Sequence, residues 1–131
     1  MKNFFLLALF LLVSPISMAC ETKKFKVFYI PIEVQFVVPP TREDILKRAN
    51  FEINSSQIGC LFDLITNQNG RAAKDNDYGR FRILIQDQKE KKELIILFDK
   101  AVFFENKIYK VSHKKIDVIL KELKAKSISI K

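Results

Sequence analysis

Residues 80–111 read RFRILIQDQKEKKELIILFDKAVFFENKIYKV, and this stretch decides the fold. Phe81, Ile83 and Ile85 recur at every second position, which is the period of a β-strand. Similar apolar runs follow after short connections, and short connections join antiparallel neighbours. A tight turn is expected near Asn106. We therefore predict four strands, at residues 80–86, 94–98, 102–105 and 107–111.

The chain after these strands predicts a C-terminal helix. Ser112 is a favourable N-cap residue. Val111 and Ile116 have the spacing of a hydrophobic staple at the start of a helix. We expect residues 127–131 to be a frayed terminus rather than an added edge strand. The helical period predicts a buried stripe formed by Ile116, Ile119, Leu120 and Leu123.

Residues 25–38 predict a strand whose apolar side changes part-way. Phe25, Val27 and Tyr29 hold odd positions, whereas the apolar residues after Pro31 hold even positions. Proline lacks a backbone donor and is tolerated in strands at edges and bulges. We therefore expect a bulge at Pro31 that keeps both halves facing one core. The apolar residues of the second half are Ile32, Val34, Phe36 and Val38.

Two helices are predicted between this strand and the four later ones. Thr41 and Asp44 have the spacing of a capping box, which predicts a short helix through about Ala49. Residues 51–53 are expected to be a brief extended link. Asn54, with a glutamine three residues on, marks the start of the second helix. Its apolar face is predicted to consist of Ile58, Leu61, Phe62 and Ile65.

The order of the elements predicts the fold class. One strand is followed by two helices, a long polar loop at residues 66–79, four strands and a final helix. This arrangement, without a regular alternation of strands and helices, is typical of α+β proteins. We predict a mainly antiparallel sheet of about five strands, with two to three helices packed on one face.

Residues 1–19 predict a cleaved signal peptide. A lysine precedes an apolar run at residues 4–13, and residues 17–19 read SMA, which places small residues before a cut ahead of Cys20. The apolar run is too short for a good membrane span. We therefore expect residues 20–131 to form a single exported domain, periplasmic or secreted, without a transmembrane helix.

Cys20 and Cys60 are the two cysteines of the chain. An even cysteine count in a small exported domain indicates pairing, so we predict a disulfide between them. Cys60 lies off the apolar face of its helix, on a flank that the N-terminal segment can reach. A lipid anchor on Cys20 is the alternative, although Ser17 stands where the lipoprotein peptidase prefers an aliphatic residue. Two free thiols are the third alternative.

The chain is basic, with 23 lysines and arginines, 15 acidic residues and a formal net charge of +8. We expect no nucleic-acid partner after export, and the RFR run at residues 80–82 lacks the pattern of an RNA-binding strand. The anions that remain are an acidic protein surface, lipid headgroups and cell-wall carboxylates.

Catalytic and metal-binding patterns are incomplete. His113 is the sole histidine, and its neighbours in sequence do not supply the acid and nucleophile of a hydrolase. Asp75, Asp77 and Gly79 imitate part of a calcium loop, but Gln86 stands where the glutamate ligand is required. We therefore expect a protein that is not an enzyme and that has no metal site and no cofactor.

Residues of the types that anchor or steer protein interfaces cluster near the polar loop. The candidate partner-binding residues are Arg80, Arg82, Asp75, Asp77 and Tyr78. We expect the two arginines to share an exposed sheet face with Glu33 and Gln35.

These observations favour a small exported protein that binds another protein. An immunity or inhibitor protein that neutralises a toxin or hydrolase acting in the cell envelope would fit them. The alternative is an envelope-associated structural protein or lipoprotein that binds anionic lipid or cell wall through its lysines.

Overall fold

The structure, a computed structural model, describes residues 20–129; the predicted signal peptide lies outside this range. The strands are β1 (Lys23–Phe28), β2 (Asn50–Ser55), β3 (Arg71–Ala72), β4 (Phe81–Asp87), β5 (Lys92–Leu97), β6 (Val102–Phe104) and β7 (Lys107–Tyr109). The helices are α1 (Arg42–Leu46), α2 (Ser56–Thr66), α3 (His113–Ser129) and a 3-10 helix at Asp75–Arg80.

All these strands join one antiparallel sheet in the order β2-β1-β4-β5-β6-β7-β3. Strands β4 to β7 form a meander, and β1 lies between β2 and β4. At the β6–β7 turn Glu105 and Asn106 have φ of 50° and 62°, as a tight type I′ hairpin requires. The predicted α+β class and this turn are confirmed, but the described sheet has seven strands rather than about five.

The two additional strands lie at the edges of the sheet. β2 contains the residues predicted as an extended link and pairs with β1 along its length. β3 lies inside the predicted polar loop and pairs with β7, with Arg71 opposite Ile108. Edge strands gain hydrogen bonds from one neighbour only, so their pairing depends on chain packing that local sequence does not reveal.

One face of the sheet is covered by α2 and α3. The Ser55 side chain caps α2 by accepting a hydrogen bond from the Ile58 backbone, one residue beyond the cap predicted at Asn54. Phe25 of β1 stacks on Phe62 of α2 with ring centroids 5.5 Å apart. The predicted helix stripes are confirmed, since the residues buried against this face include Ile58, Leu61, Phe62, Ile65, Ile116, Ile119 and Leu123.

The predicted disulfide joins Cys20 to Cys60 on α2, with the two Cα atoms 5.3 Å apart. The segment that follows Cys20 passes close to the helix. A Cβ atom added at Gly59 would lie 3.0 Å from the backbone oxygen of Glu21, so this close approach favours a glycine. The disulfide therefore fastens the N-terminal segment to the helix that covers the sheet.

The opposite face has a second core and no long helix. Ile45 of α1 packs there, so two helices, the lower of the two numbers predicted, share the first face. The predicted capping box between Thr41 and Asp44 is confirmed, although α1 ends at Leu46 rather than near Ala49. The rest of this core comes from the sheet and its connections, mainly Phe28, Ile30, Phe81, Leu84, Ile95, Leu97 and Ile108.

The first strand ends before Pro31, and the predicted bulge there is wrong. Proline has no N–H to continue the ladder. Instead, the Val34 backbone N–H donates to the Pro31 carbonyl at 3.1 Å and closes a turn. Val34 is exposed, and Phe36 packs on the second core whereas Val27 belongs to the first. Of the predicted second half, Ile32 packs on the first core with Val27, but the residues from Val34 onward do not.

A register shift does occur, but it lies in β4 between Phe81 and Ile83. Phe81 consequently belongs to the second core, whereas Ile83 and Ile85 belong to the first. The prediction that these three residues share one side is therefore wrong for Phe81. A bulge of this kind redirects side chains without ending the strand.

The predicted C-terminal helix begins as expected. The backbone N–H groups of Lys115 and Ile116 donate to the Ser112 carbonyl, and both residues of the predicted staple, Val111 and Ile116, are buried. The helix continues to Ser129, so the fraying expected from residue 127 is wrong for residues 127–129. No helix within residues 20–129 is long and apolar enough to cross a membrane.

Candidate functional site

Three arginines and two phenylalanines alternate along the sheet face opposite α2 and α3. The Arg82 Cζ atom lies 4.9 Å from the ring centroid of Phe36 and 5.6 Å from that of Phe98. The Arg48 Cζ atom lies 5.7 Å from the Phe36 ring centroid, and the Arg80 Cζ atom lies 5.8 Å from the Phe98 ring centroid. We call these five residues the arginine–phenylalanine row.

Local backbone structure explains how the row forms. Arg80 and Arg82 flank Phe81 at the start of β4, where the register shift occurs. The Phe98 backbone N–H donates to the Arg80 carbonyl at 2.9 Å, which holds the ring beside both arginines. Phe36 comes from the irregular segment after β1, and Arg48 follows α1.

Arg82 is the most unusual member of the row, because only 8% of its surface is exposed. Its Nη1 donates to the Phe81 carbonyl at 2.8 Å, but its Nε is buried and has no hydrogen-bond partner among residues 20–129. Burial lowers the pKa of Arg82 below its ordinary value. A buried guanidinium is normally paired, so the unpaired Nε sets Arg82 apart from the other arginines of the row.

Arg80, by contrast, is held in place by ion pairs with two aspartates. Its Nη1 lies 2.6 Å from Oδ1 of Asp77, and its Nη2 pairs with Asp99. Arg71 forms a second, bidentate pair with Asp77, at 2.8 and 2.9 Å, and the Lys74 backbone N–H donates to the same carboxylate. The Arg71 hydrogen bonds are the first cause that lowers the pKa of Asp77. Asp77 therefore braces the 3-10 helix beside the row.

Exposed apolar residues adjoin the row. Val37 and Val38 directly follow Phe36, and both side chains project into solvent. Phe98 is 49% exposed although it contacts two arginines. Pro39, next along the chain, lies within 3.6 Å of the Cβ position at Gly79, which brings this segment against the 3-10 helix. The surface thus combines exposed valines, an exposed aromatic ring and guanidinium groups.

The structure brings together some of the predicted partner-binding residues. Arg80, Arg82 and Asp77 belong to or brace the row, although Asp77 is buried rather than offered to a partner. Asp75 is exposed at the start of the 3-10 helix. Tyr78 is half-exposed and packs edge-on against Phe81 and Phe103, with centroids 5.7 and 5.6 Å apart.

The expected exposed face shared by two arginines, Glu33 and Gln35 is wrong. Arg82 is buried, and Glu33 lines a depression with Lys124 of α3, on the other side of the sheet. The reason is that residues 29–40 leave the sheet instead of continuing β1, so strand parity does not apply to them.

Sequence reasoning missed Phe36, Arg48, Phe98 and Arg71. Phe36 and Phe98 were assigned to predicted strands, and Arg48 and Arg71 carried no pattern of their own. Cation–π contacts between residues far apart in sequence leave no local signal, because the fold alone brings them within reach.

The described residues contain no cluster of three His, Cys, Asp or Glu side chains arranged to hold a metal ion. His113 is exposed at the first position of α3. A cleft of about 660 Å³ lies beside α1, where its lining includes Arg42, Glu93, Phe81 and Phe103. Arg42 and Glu93 bind each other there, at 2.6 and 2.7 Å, which ties α1 to β5.

Models of known protein families give no match to this chain, and neither curated proteins nor solved structures match it. Support for the candidate site therefore comes from the chain's own residues.

Proposed function

We propose that this protein is a non-enzymatic binding protein whose partner is an acidic protein, and that the arginine–phenylalanine row is the contact surface. The observation that carries the proposal is the alternation of Arg48, Phe36, Arg82, Phe98 and Arg80 beside exposed valines.

The composition of the row supports a protein partner. Arginine and aromatic side chains dominate the energy of protein interfaces, and they act best at the centre of a contact that excludes water. Val37 and Val38 would supply the apolar contact that isolated surface charges lack. The net charge of +8 favours encounter with an acidic surface.

The specific form that we propose is an exported immunity or inhibitor protein that acts against an envelope toxin or hydrolase. The disulfide between Cys20 and Cys60 supports folding in an oxidising compartment. The rigid sheet beneath the row supports tight binding, because a preorganised surface has less conformational entropy to lose on association.

The test is recovery of a partner from cells that natively produce the protein, with variants that change exposed side chains only. The wild-type protein should recover the partner in near-stoichiometric amount. Arg48→Glu should lower that recovery about tenfold or more, and so should the double variant Val37→Ser, Val38→Ser. The matched controls on α3, Lys114→Glu and Val118→Ser, should leave recovery unchanged, as should His113→Ala.

Two results would contradict the proposal. An equal loss in the row variants and the α3 controls would show that binding follows general charge and apolarity, as on an anionic lipid or cell-wall surface. Turnover of an envelope substrate by the purified protein, abolished by one side-chain change, would establish an enzyme instead.

A further inference from the structure

We propose that the free edge of the Arg82 guanidinium, formed by Nε and Nη2, receives one carboxylate of the acidic partner. This inference rests on the proposed protein-binding function and names the chemistry at its centre. The ligand is one carboxylate group, bound through both of its oxygens, from an aspartate, a glutamate or a chain terminus.

The hydrogen-bond pattern of Arg82 leaves this edge available. Nη1 is occupied by the Phe81 carbonyl at 2.8 Å. Nε is buried without a partner among the described residues, and none of their ion pairs includes Arg82. The parallel N–H groups of Nε and Nη2 match the two oxygens of a carboxylate.

At Arg42 of the same protein, the corresponding edge of the guanidinium is already bound to a carboxylate. There, Nε donates to one oxygen of Glu93 at 2.6 Å, and Nη2 donates to the other at 2.7 Å. Arg42 has an acid from its own chain, whereas Arg82 has two phenylalanine rings and a carbonyl as neighbours. The difference between these arginines indicates that the acid for Arg82 comes from another molecule.

Burial makes Arg82 selective for a paired anion. A guanidinium that is largely removed from water has lost part of its hydration, and a carboxylate restores the missing hydrogen bonds in a site of low dielectric. Lysines exposed on α3 keep their hydration and discriminate little between anions. Arg82 is therefore suited to recognise one defined group rather than a diffuse negative surface.

Access to Nε requires a shift of the segment that includes Phe36. Within residues 31–40, one backbone hydrogen bond joins two residues of the segment, from the Val34 N–H to the Pro31 carbonyl. Val37 and Val38 are exposed and make this segment easy to displace from outside. A partner that covers the valines would thus uncover the Arg82 edge in the same step.

The test uses the purified domain and two small oxyanions, with chloride as the reference, so it does not depend on knowing the partner. The Nε–H resonance of Arg82 is followed by NMR during titration with sodium acetate, sodium phosphate and sodium chloride at matched ionic strength. Arg82→Lys, which removes this Nε–H, assigns the signal. The Nε–H of Arg42, already bound to Glu93, is the internal control.

A saturable acetate shift at Arg82, several-fold larger than at Arg42 and accompanied by shifts of the Val37 and Val38 amides, supports the inference. A shift that equals the chloride response overturns it and leaves the proposed protein binding standing. Tighter saturation by phosphate than by acetate also overturns it and points to a phosphate-bearing ligand such as a lipid headgroup. If acetate saturates the Arg82 signal but no protein partner is recovered from cells, the carboxylate site stands and only the proposed protein-binding function is contradicted.

Discussion

The two faces of the sheet are closed in different ways. On the face covered by α2 and α3, long helices bury apolar stripes and the disulfide holds α2 to the N-terminal segment. On the opposite face, a five-residue helix, a 3-10 helix and the irregular segment around Phe36 cover a smaller core. The unpaired guanidinium, the exposed valines and the half-exposed Phe98 all lie on this second side.

This difference leads us to propose that stability and binding are assigned to separate faces. The helix-covered face is filled with aliphatic and aromatic side chains, which stabilise the fold in proportion to the apolar area they bury. We propose that the loop-covered face retains groups that reduce the stability of the free domain but favour a complex. Functional surfaces commonly combine lower local stability with incompletely satisfied groups.

The largest expected contrast lies between two phenylalanines. Phe25→Ala should reduce the free energy of unfolding by about 3 to 5 kcal/mol, because Phe25 is buried and stacked on Phe62. Phe36→Ala should cost about 1 kcal/mol, since Phe36 is only partly buried, but it should weaken partner binding. Urea unfolding measures both values, and equal losses would contradict the division between the faces.

The disulfide should have the next largest effect. Replacement of Cys20 and Cys60 by serine should lower stability by about 3 to 4 kcal/mol, since the bond closes a loop of 40 residues in sequence separation. Heat unfolding of the double variant measures the loss, with the reduced wild-type protein as a control. Partner binding at a temperature where the variant stays folded should be unchanged, and its loss would place the disulfide at the binding surface.

Asp77 should have a smaller, pH-dependent effect. Its pKa is lowered by hydrogen bonds from Arg71 and Lys74, so its stabilisation is fully present above the ordinary value of 3.8 and is lost as pH falls further. Asp77→Asn should cost about 2 to 3 kcal/mol at neutral pH. Urea unfolding between about pH 5 and pH 2 should show that the free energy of unfolding falls more steeply with decreasing pH for the wild type than for the variant. Parallel curves would show that Asp77 does not brace the row.

The strands and helices with strong periodicity were predictable from sequence. The meander of residues 80–111 and the α3 stripe follow from repeats of two and about 3.6 residues, which reflect side-chain geometry alone. The disulfide followed from the presence of two cysteines in a chain with a predicted export signal. The edge strand β3 was missed because two residues carry no periodic signal.

The candidate site was only partly predictable. Arg80 and Arg82 were identified by residue type, but the burial of Arg82 depends on the β4 register shift and on Phe36 from a distant segment. Strand parity placed Arg82 on an exposed face because it assumes a regular pleat and one solvated side. In this sheet both sides carry a core, so Arg82 is buried on the face that strand parity assigns to solvent.

The measurement that tests the central claim most directly is the thermal unfolding midpoint of Arg82→Met. Methionine keeps the apolar contact with Phe36 and Phe98 but removes a buried, unpaired charge. The account predicts a gain of about 1 kcal/mol, which raises the midpoint by about 4 °C, while partner binding falls. A midpoint that drops below the wild-type value would show that Arg82 stabilises the free domain, and would contradict the assignment of this face to binding.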